Sequence, residues 1–394
     1  ASVVLGSATP SLEAYYRAGR GEYRLLQLTK RLTGGELPTV YTVDLRQELQ
    51  EGNRSIFSRK LQELMTDRLN KGQQTILFLN RRGYAGFVSC RSCGEVMKCP
   101  HCDVSLSEHK GGRLICHYCG YTQPMPKLCP KCGSKYILGF KAGTQQIEEK
   151  LKELYPGVRT LRMDADTTRT KDSYEKILSS FANGEADVLI GTQMIVKGHD
   201  FPKVTLVGIL AADLSLNASD YRAGERTFQL LTQAVGRAGR GVLPGEAVIQ
   251  TYQPDHYAIT CAAAQDYESF YQEEILYREL SGYPPVAHML AVQIYGKEEE
   301  NAKQLALRLT DVVKSNMDFL SGKQKEQSNK KIQVLGPAPA NISKINDIYR
   351  YVFYVKHAEY DVLVEVKDRL EETLRQWQPR QMSIQFDFDP VSVL

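Results

Sequence analysis

Two groups of side chains in this sequence are spaced for chemistry. Eight of the nine cysteines fall between Cys90 and Cys132, as four Cys-x-x-Cys pairs. Further along, the run QAVGRAGR separates Gln233, Arg237 and Arg240 by four and three residues, with Gly236 and Gly239 immediately before the arginines. The first group offers soft sulfur donors suited to zinc. The second offers planar cations suited to phosphate oxygens.

In a long chain without secretory features, paired cysteines point to metal rather than disulfides. The runs CRSCG, CPHC, CHYCG and CPKCG carry the Pro and Gly that tight Cys-x-x-Cys turns use, and four pairs make two four-sulfur sites for two Zn²⁺. The pairs are separated by 94–98, 103–115 and 120–128. The long middle gap suits a ribbon hairpin joining Cys99 and Cys102 to Cys116 and Cys119, with Cys90, Cys93, Cys129 and Cys132 closing a second site at its base. Sequential pairing is the alternative and needs a tighter fold-back across 94–98. Nesting makes 88–138 an insertion whose ends meet. His101 and His117 are read as bystanders, and Cys261 as a small apolar residue.

These groups need a scaffold. Candidate strands are 39–44, 75–80, 159–164, 187–193, 205–210 and 247–252, all short, apolar and β-branched, as a parallel sheet covered on both faces requires. Helices are expected at 58–71, 144–155, 171–183 and 223–239, with Ser58 and Asp220 near starts and Gly157 and Gly184 at stops. The class is α/β, with working loops at the carboxyl ends of the strands. Helical spacing through QAVGRAGR puts Gln233, Arg237 and Arg240, at i, i+4 and i+7, on one face. The two glycines of this run imply close approach of another backbone or a ligand. The loop IGTQMIVKGHDFPKV presents Thr192, Gln193, Lys197, Gly198, His199 and Asp200.

The chain has 394 residues, 42% hydrophobic and 24% charged, with net charge +4. No apolar run reaches the roughly 18 residues of a membrane span, so a cytoplasmic protein is expected. Between Arg81 and Lys135 basic residues exceed acidic ones, but two zinc–thiolate centres would offset most of that excess, so charge alone does not assign a nucleic-acid partner. Val3, Val4 and Leu5 read as a buried strand, and a chain opening inside a strand is expected to be part of a longer protein.

Four runs, GSATPS (6–11), FLNRRGYA (78–85), GTQMIVKGHDFPKVTLVGILAAD (191–213) and QLLTQAVGRAGRG (229–241), resemble motifs III to VI of superfamily 2 helicases. With the cysteine block directly after motif IV, the chain resembles the PriA family of replication-restart helicases over essentially its whole length. The resemblance implies a RecA-like second lobe (36–283) carrying the zinc insertion, preceded by a remnant of the first lobe and linker (1–35). It implies catalytic roles at the ATP γ-phosphate for Arg237 and Arg240, with Arg240 the better arginine finger. Gln233, Asp200 and Gly198 would bind nucleotide; Asn80, Arg81, Arg82, Thr192, Gln193 and Lys197 would track DNA; Ser7 and Thr9 would couple the two. It further implies ATP and Mg²⁺ as cofactors of the full-length protein. Its partners would be single-stranded and forked DNA, single-stranded DNA-binding protein and primosome or helicase-loading proteins, and it would act as a monomer. No G-x-x-x-x-G-K-[ST] loop or D-E-x-H segment occurs in the sequence, so this stretch alone is expected to be inactive. The competing reading is a non-catalytic zinc module that docks DNA or proteins.

Beyond the double proline of GYPPVAH, the order strand (289–295), helix (299–316), strand (332–336), strand (350–356), helix (358–375), strand (383–389) predicts a ferredoxin-like domain over 284–394. The run GPAPANISKINDIYRY is expected to be loop-rich.

Overall fold

The computed structural model describes residues 2–28, 37–79, 88–101, 104–109, 112–139, 143–164, 167–168, 171–196, 201–217, 220–241, 243–315 and 331–391. The chain opens with α1 (Leu12–Gly19), β1 (Thr39–Asp44), α2 (Leu45–Gln50), α3 (Arg59–Asn70) and β2 (Gln74–Leu79). The cysteine block holds β3 (Val88–Cys90), β4 (Ser107–His109), β5 (Arg113–Ile115), β6 (Thr122–Pro124) and β7 (Ile137–Gly139). Next come α4 (Thr144–Leu154), β8 (Thr160–Met163), α5 (Lys171–Ala182), β9 (Val188–Gly191), β10 (Val204–Leu210), α6 (Asp213–Leu216), α7 (Ala223–Val235), β11 (Glu246–Thr251), α8 (Tyr257–Ala264) and α9 (Tyr267–Ser281). The last third is β12 (His288–Gly296), α10 (Glu299–Ser315), β13 (Gln333–Ile345), β14 (Ile348–His357), α11 (Tyr360–Trp377) and β15 (Met382–Phe388).

The six expected strands form one parallel sheet, in the order β1-β11-β10-β2-β9-β8. All seven residues of β10 and all six of β2 are buried, which is why they read as continuous apolar runs rather than alternating ones. One apolar cluster under α7, α8 and α9 covers one face, and a second around Leu61, Met65, Ile147 and Leu151 of α3 and α4 covers the other. Gly208 admits Leu61 against the sheet; a Cβ there would lie 2.9 Å from a Leu61 methyl. Ser58 caps α3 by accepting from the Leu61 amide, an interaction worth about 1 kcal/mol. Gly157 and Gly184, at φ 89 and 83, end the turns after α4 and α5.

The last domain is an antiparallel sheet in the order β13-β14-β12-β15, backed by α10 and α11. Numbered within the domain this is 2-3-1-4, the interlocked β-α-β arrangement of a ferredoxin-like sandwich. GPAPANISKINDIYRY is a correction: it is a long hairpin, not a loop. β13 and β14 meet through Asn346 and Asp347, both left-handed at φ 48 and 60, the backbone of a two-residue hairpin turn. The polar residues of this run lie on an exposed ribbon, which hides strand periodicity from the sequence.

The amino-terminal segment is a second correction. Val3, Val4 and Leu5 are exposed and lie outside every sheet. Three apolar residues make a strand only where a neighbour offers backbone partners, and none among the described residues does. Instead, Leu12 of α1 is fully buried in the α7–α9 layer. Its amide donates to Glu225 Oε1 at 2.9 Å, and Tyr267 donates to the Pro10 carbonyl at 3.1 Å.

Candidate metal centres and motor surface

The ends of the cysteine block meet as β3 pairs with β7. This brings Cys90, Cys93, Cys129 and Cys132 together, their sulfurs all within 4.8 Å of one another. Cys90 and Cys132 are 3.7 Å apart, and Cys93 and Cys129 3.6 Å. Four sulfurs on one zinc at about 2.3 Å would be separated by about 3.8 Å, the edge of the tetrahedron. Cys99, Cys116 and Cys119 form the other group, with Cys99 and Cys119 3.5 Å apart. Cys102 lies outside the described residues. The geometry is the nested pairing.

The pairs beginning at Cys90, Cys116 and Cys129 sit in the same turn. The amides of Cys90, Cys99, Cys116 and Cys129 each bond the carbonyl five residues on, at 2.8 Å. Gly94, Gly120 and Gly133 follow their pairs at φ 77, 77 and 70 and donate back to the first cysteine's carbonyl. That positive φ is the reason for glycine at these positions. Without a cation the sulfurs cannot all ionise. Burial and the Cys132, Cys129 and Cys90 sulfurs push the Cys93 thiol up to about 12. Burial also opposes ionisation of Cys90, but the Cys93 and Ser92 amides outweigh it and pull that thiol down to about 7. A Zn²⁺ would resolve the conflict, and the all-sulfur donor set fits it.

The insertion is not self-contained. Val104, Leu106, Leu114 and Tyr118 share one apolar cluster with Tyr221, Tyr283, Met289 and Tyr354 of the flanking domains. The Tyr221 amide donates to the Tyr118 hydroxyl at 3.1 Å. His117, read as a bystander, is buried; its Nδ1 lies 3.0 Å from the Pro339 carbonyl and its Nε2 3.1 Å from His109. The short block borrows core from the last domain, an arrangement that local sequence does not signal. Cys261 is half-buried against the main core, as an apolar residue would be.

The arginine run departs from expectation. α7 ends at Val235, with Gly236 as its cap, so both arginines leave the helix: Arg237 lies in the turn that follows and Arg240 just beyond it. Gly239 is left-handed at φ 67, and a Cβ there would meet the Gly245 amide nitrogen at 2.4 Å. The close neighbour that the glycines implied is thus this chain's own backbone. Arg240 is exposed, its Nε donating to the Gly236 carbonyl at 2.7 Å; Arg237 is half-buried. Gln233, on the last turn of α7, donates from Nε2 to Thr9 Oγ1 at 3.4 Å, and the Thr9 amide donates to Ser7 Oγ at 3.1 Å. The two runs that resemble motifs III and VI therefore touch.

Thr192 and Gln193 leave the carboxyl end of β9, where a short 3₁₀ turn, Gln193–Val196, begins. The Thr192 amide bonds the Met163 carbonyl at 3.3 Å. Asn80, Arg81, Arg82, Lys197, Gly198, His199 and Asp200 lie outside the described residues.

Sequence reasoning missed a buried ionic cluster behind this surface. Arg278, fully enclosed, reaches Glu274 Oε1 at 2.8 Å, Glu225 Oε2 at 3.1 Å and the Pro284 carbonyl at 2.7 Å, and lies 4.8 Å from the Tyr221 ring centre. Its one readable trace is the four-residue spacing of Glu274 and Arg278 in α9.

A parallel-sheet α/β lobe, a cysteine-rich region with two candidate zinc sites and a ferredoxin-like domain together define the class of helicase-type lobes that carry a cysteine-rich insertion. Comparison with known proteins agrees region by region. A helicase conserved C-terminal domain model matches residues 128–242, a PriA DNA helicase cysteine-rich region model 99–124, and a primosomal protein N C-terminal domain model 279–391. The chain is similar along all of its length to the replication restart protein PriA of Bacillus subtilis, at 45% identity over 48% of that protein. It is 41% identical to that of Synechocystis over 99% of this chain and 46% of the relative, and 36% identical to that of Haemophilus influenzae over 97% and 50%. The chain belongs to the PriA family and spans about half the length of the curated relatives it matches. No described helix is long and apolar enough to cross a membrane.

Proposed function

We propose that this chain supplies the second motor lobe, the zinc region and the C-terminal domain of an ATP-driven DNA helicase that recognises stalled or forked DNA and begins primosome assembly in replication restart. The observation carrying this reading is the Gln233–Thr9 contact, with Arg240 exposed a turn beyond it. On this reading the contact joins a residue that senses nucleotide to one that couples it to DNA. Arg240 serves as the arginine finger, with Arg237 beside it; such a finger is worth about 10³–10⁵ in rate. Gln233, Asp200 and Gly198 face nucleotide, and Asn80, Arg81, Arg82, Thr192, Gln193 and Lys197 track the DNA backbone, with Ser7 as well as Thr9 in the coupling. ATP and Mg²⁺ serve the full-length cytoplasmic protein, which acts as a monomer with single-stranded DNA-binding protein and helicase-loading proteins. The phosphate loop and metal carboxylate would come from elsewhere, so the 394-residue chain alone hydrolyses no ATP.

The test is Arg240→Ala in the full-length protein. Unwinding should fall by at least a thousandfold while fork binding stays near wild type; a matching loss of fork binding would remove the finger assignment. A purified chain with DNA-stimulated phosphate release would contradict its predicted inactivity.

A further inference from the structure

At the carboxyl ends of β10 and β11 lies a cavity of about 680 Å³ that none of the roles above uses. Its walls come from four parts of the chain: α2 and the turn after it, the first zinc knuckle, the start of α4 at Gln146 and Ile147, and the ends of those two strands. The size is that of a small-ligand site, and the crevice beyond the carboxyl ends of a parallel sheet is where α/β domains bind ligands. Ala211, at the foot of β10, is left-handed at φ 52, a strained conformation that clusters at ligand contacts.

The lining is aromatic and basic. Tyr252 and the half-exposed Tyr136 present rings, and Arg91 bonds the Tyr252 hydroxyl at 2.8 Å with its guanidinium 5.0 Å from that ring's centre. Arg54 is exposed at the rim. Among the described lining residues the one carboxylate, Glu48, is taken up by the Asn53 side chain and by the Arg59 amide and guanidinium. An aromatic wall with cations and a satisfied acid suits a base carrying a phosphate.

We propose that the cavity takes one unstacked base of single-stranded DNA, packed against Tyr252, with Arg91 and Arg54 at its phosphates. This rests on the reading that DNA crosses the strand ends at Thr192. In the sheet, β9, β2, β10 and β11 are successive neighbours, so the cavity lies about three strand spacings, or about 14 Å, along the same edge. The zinc knuckle forms one wall, which gives the first metal site a role in gripping DNA.

The test uses forked oligonucleotides, whose junction fixes the register, with single abasic positions scanned along the unpaired arm. Anisotropy should show the chain losing about five- to hundredfold in affinity at one position, the usual weight of one base on an aromatic ring. Tyr252→Leu should lose as much on intact DNA and show a flat scan, whereas Tyr252→Phe should behave as wild type. A flat scan in the wild-type chain, with DNA still bound, overturns the base pocket and leaves the DNA-tracking surface standing. Failure to bind any unpaired arm overturns both. Equal competition by a free deoxynucleoside monophosphate would make this a nucleotide site and overturn the strand pocket.

Discussion

Thr9 is buried and accepts a hydrogen bond across 3.4 Å from Gln233, 224 residues later in the chain. Only Gln233 is held there by a regular element of its own: it sits two residues before α7 ends, whereas Thr9 precedes α1. The contact depends on Glu225 and Tyr267 holding the segment from 10 to 12. Thr9→Val in the full-length protein should therefore lower unwinding more than DNA-stimulated ATP hydrolysis. Thr9→Val with Gln233→Leu should cost less than the two changes added together, by about 0.5–1.5 kcal/mol. Additive effects measured by double-mutant cycle would mean that the contact carries no coupling.

Gly239 sets where Arg240 goes. Its positive φ and its packing on Gly245 leave no room for a methyl group. Gly239→Ala should lower stability by about 1–3 kcal/mol in urea unfolding. It should also reduce ATP hydrolysis of the full-length protein with both arginines intact. An alanine variant of unchanged stability and rate would show that the turn does not position Arg240.

Cys99→Ser should lower bound zinc from about two ions per chain to about one. Because His117 touches Pro339, and a Cβ on Gly120 would lie 3.3 Å from the Pro337 carbonyl, the effect should cross domains. Hydrogen exchange should speed up around 336–340, on the base of the β13–β14 hairpin. Exchange confined to the cysteine block would contradict the shared core.

His256 makes folding sensitive to acid. Its Nδ1 accepts from the Ala258 amide at the start of α8, which only a neutral ring can do. Burial, with Lys98 nearby, pulls its pKa down from 6.5 to about 4. A depressed histidine leaves the unfolded chain binding more protons between those values. Its stabilisation is thus complete above about pH 6.5 and is lost as pH falls toward 4. His256→Asn keeps a capping oxygen without the titration, so its unfolding midpoint should fall less steeply than wild type over that window. Parallel slopes would assign the acid sensitivity elsewhere.

The sheet was legible because strands such as β2 and β10 are buried on both faces and so are apolar throughout. The cysteine turns were legible because Gly94, Gly120 and Gly133 follow their pairs at fixed offsets. Helix α7 read four residues too long, since AVGRAGR keeps helical spacing while Gly239 takes a backbone no helix allows. Arg278 and the cavity beside Arg91 were hidden for another reason. Each is assembled from segments far apart in the chain, and local periodicity carries no record of such meetings.

The cluster joining Leu114 and Tyr118 to Met289 and Tyr354 bears on the order of assembly during synthesis. The ribosome releases all eight paired cysteines well before His288, so metal capture can precede emergence of the final sheet. The last domain would then condense on a surface already formed. A cell short of zinc would hold a chain whose tail, itself free of cysteine, has lost its template.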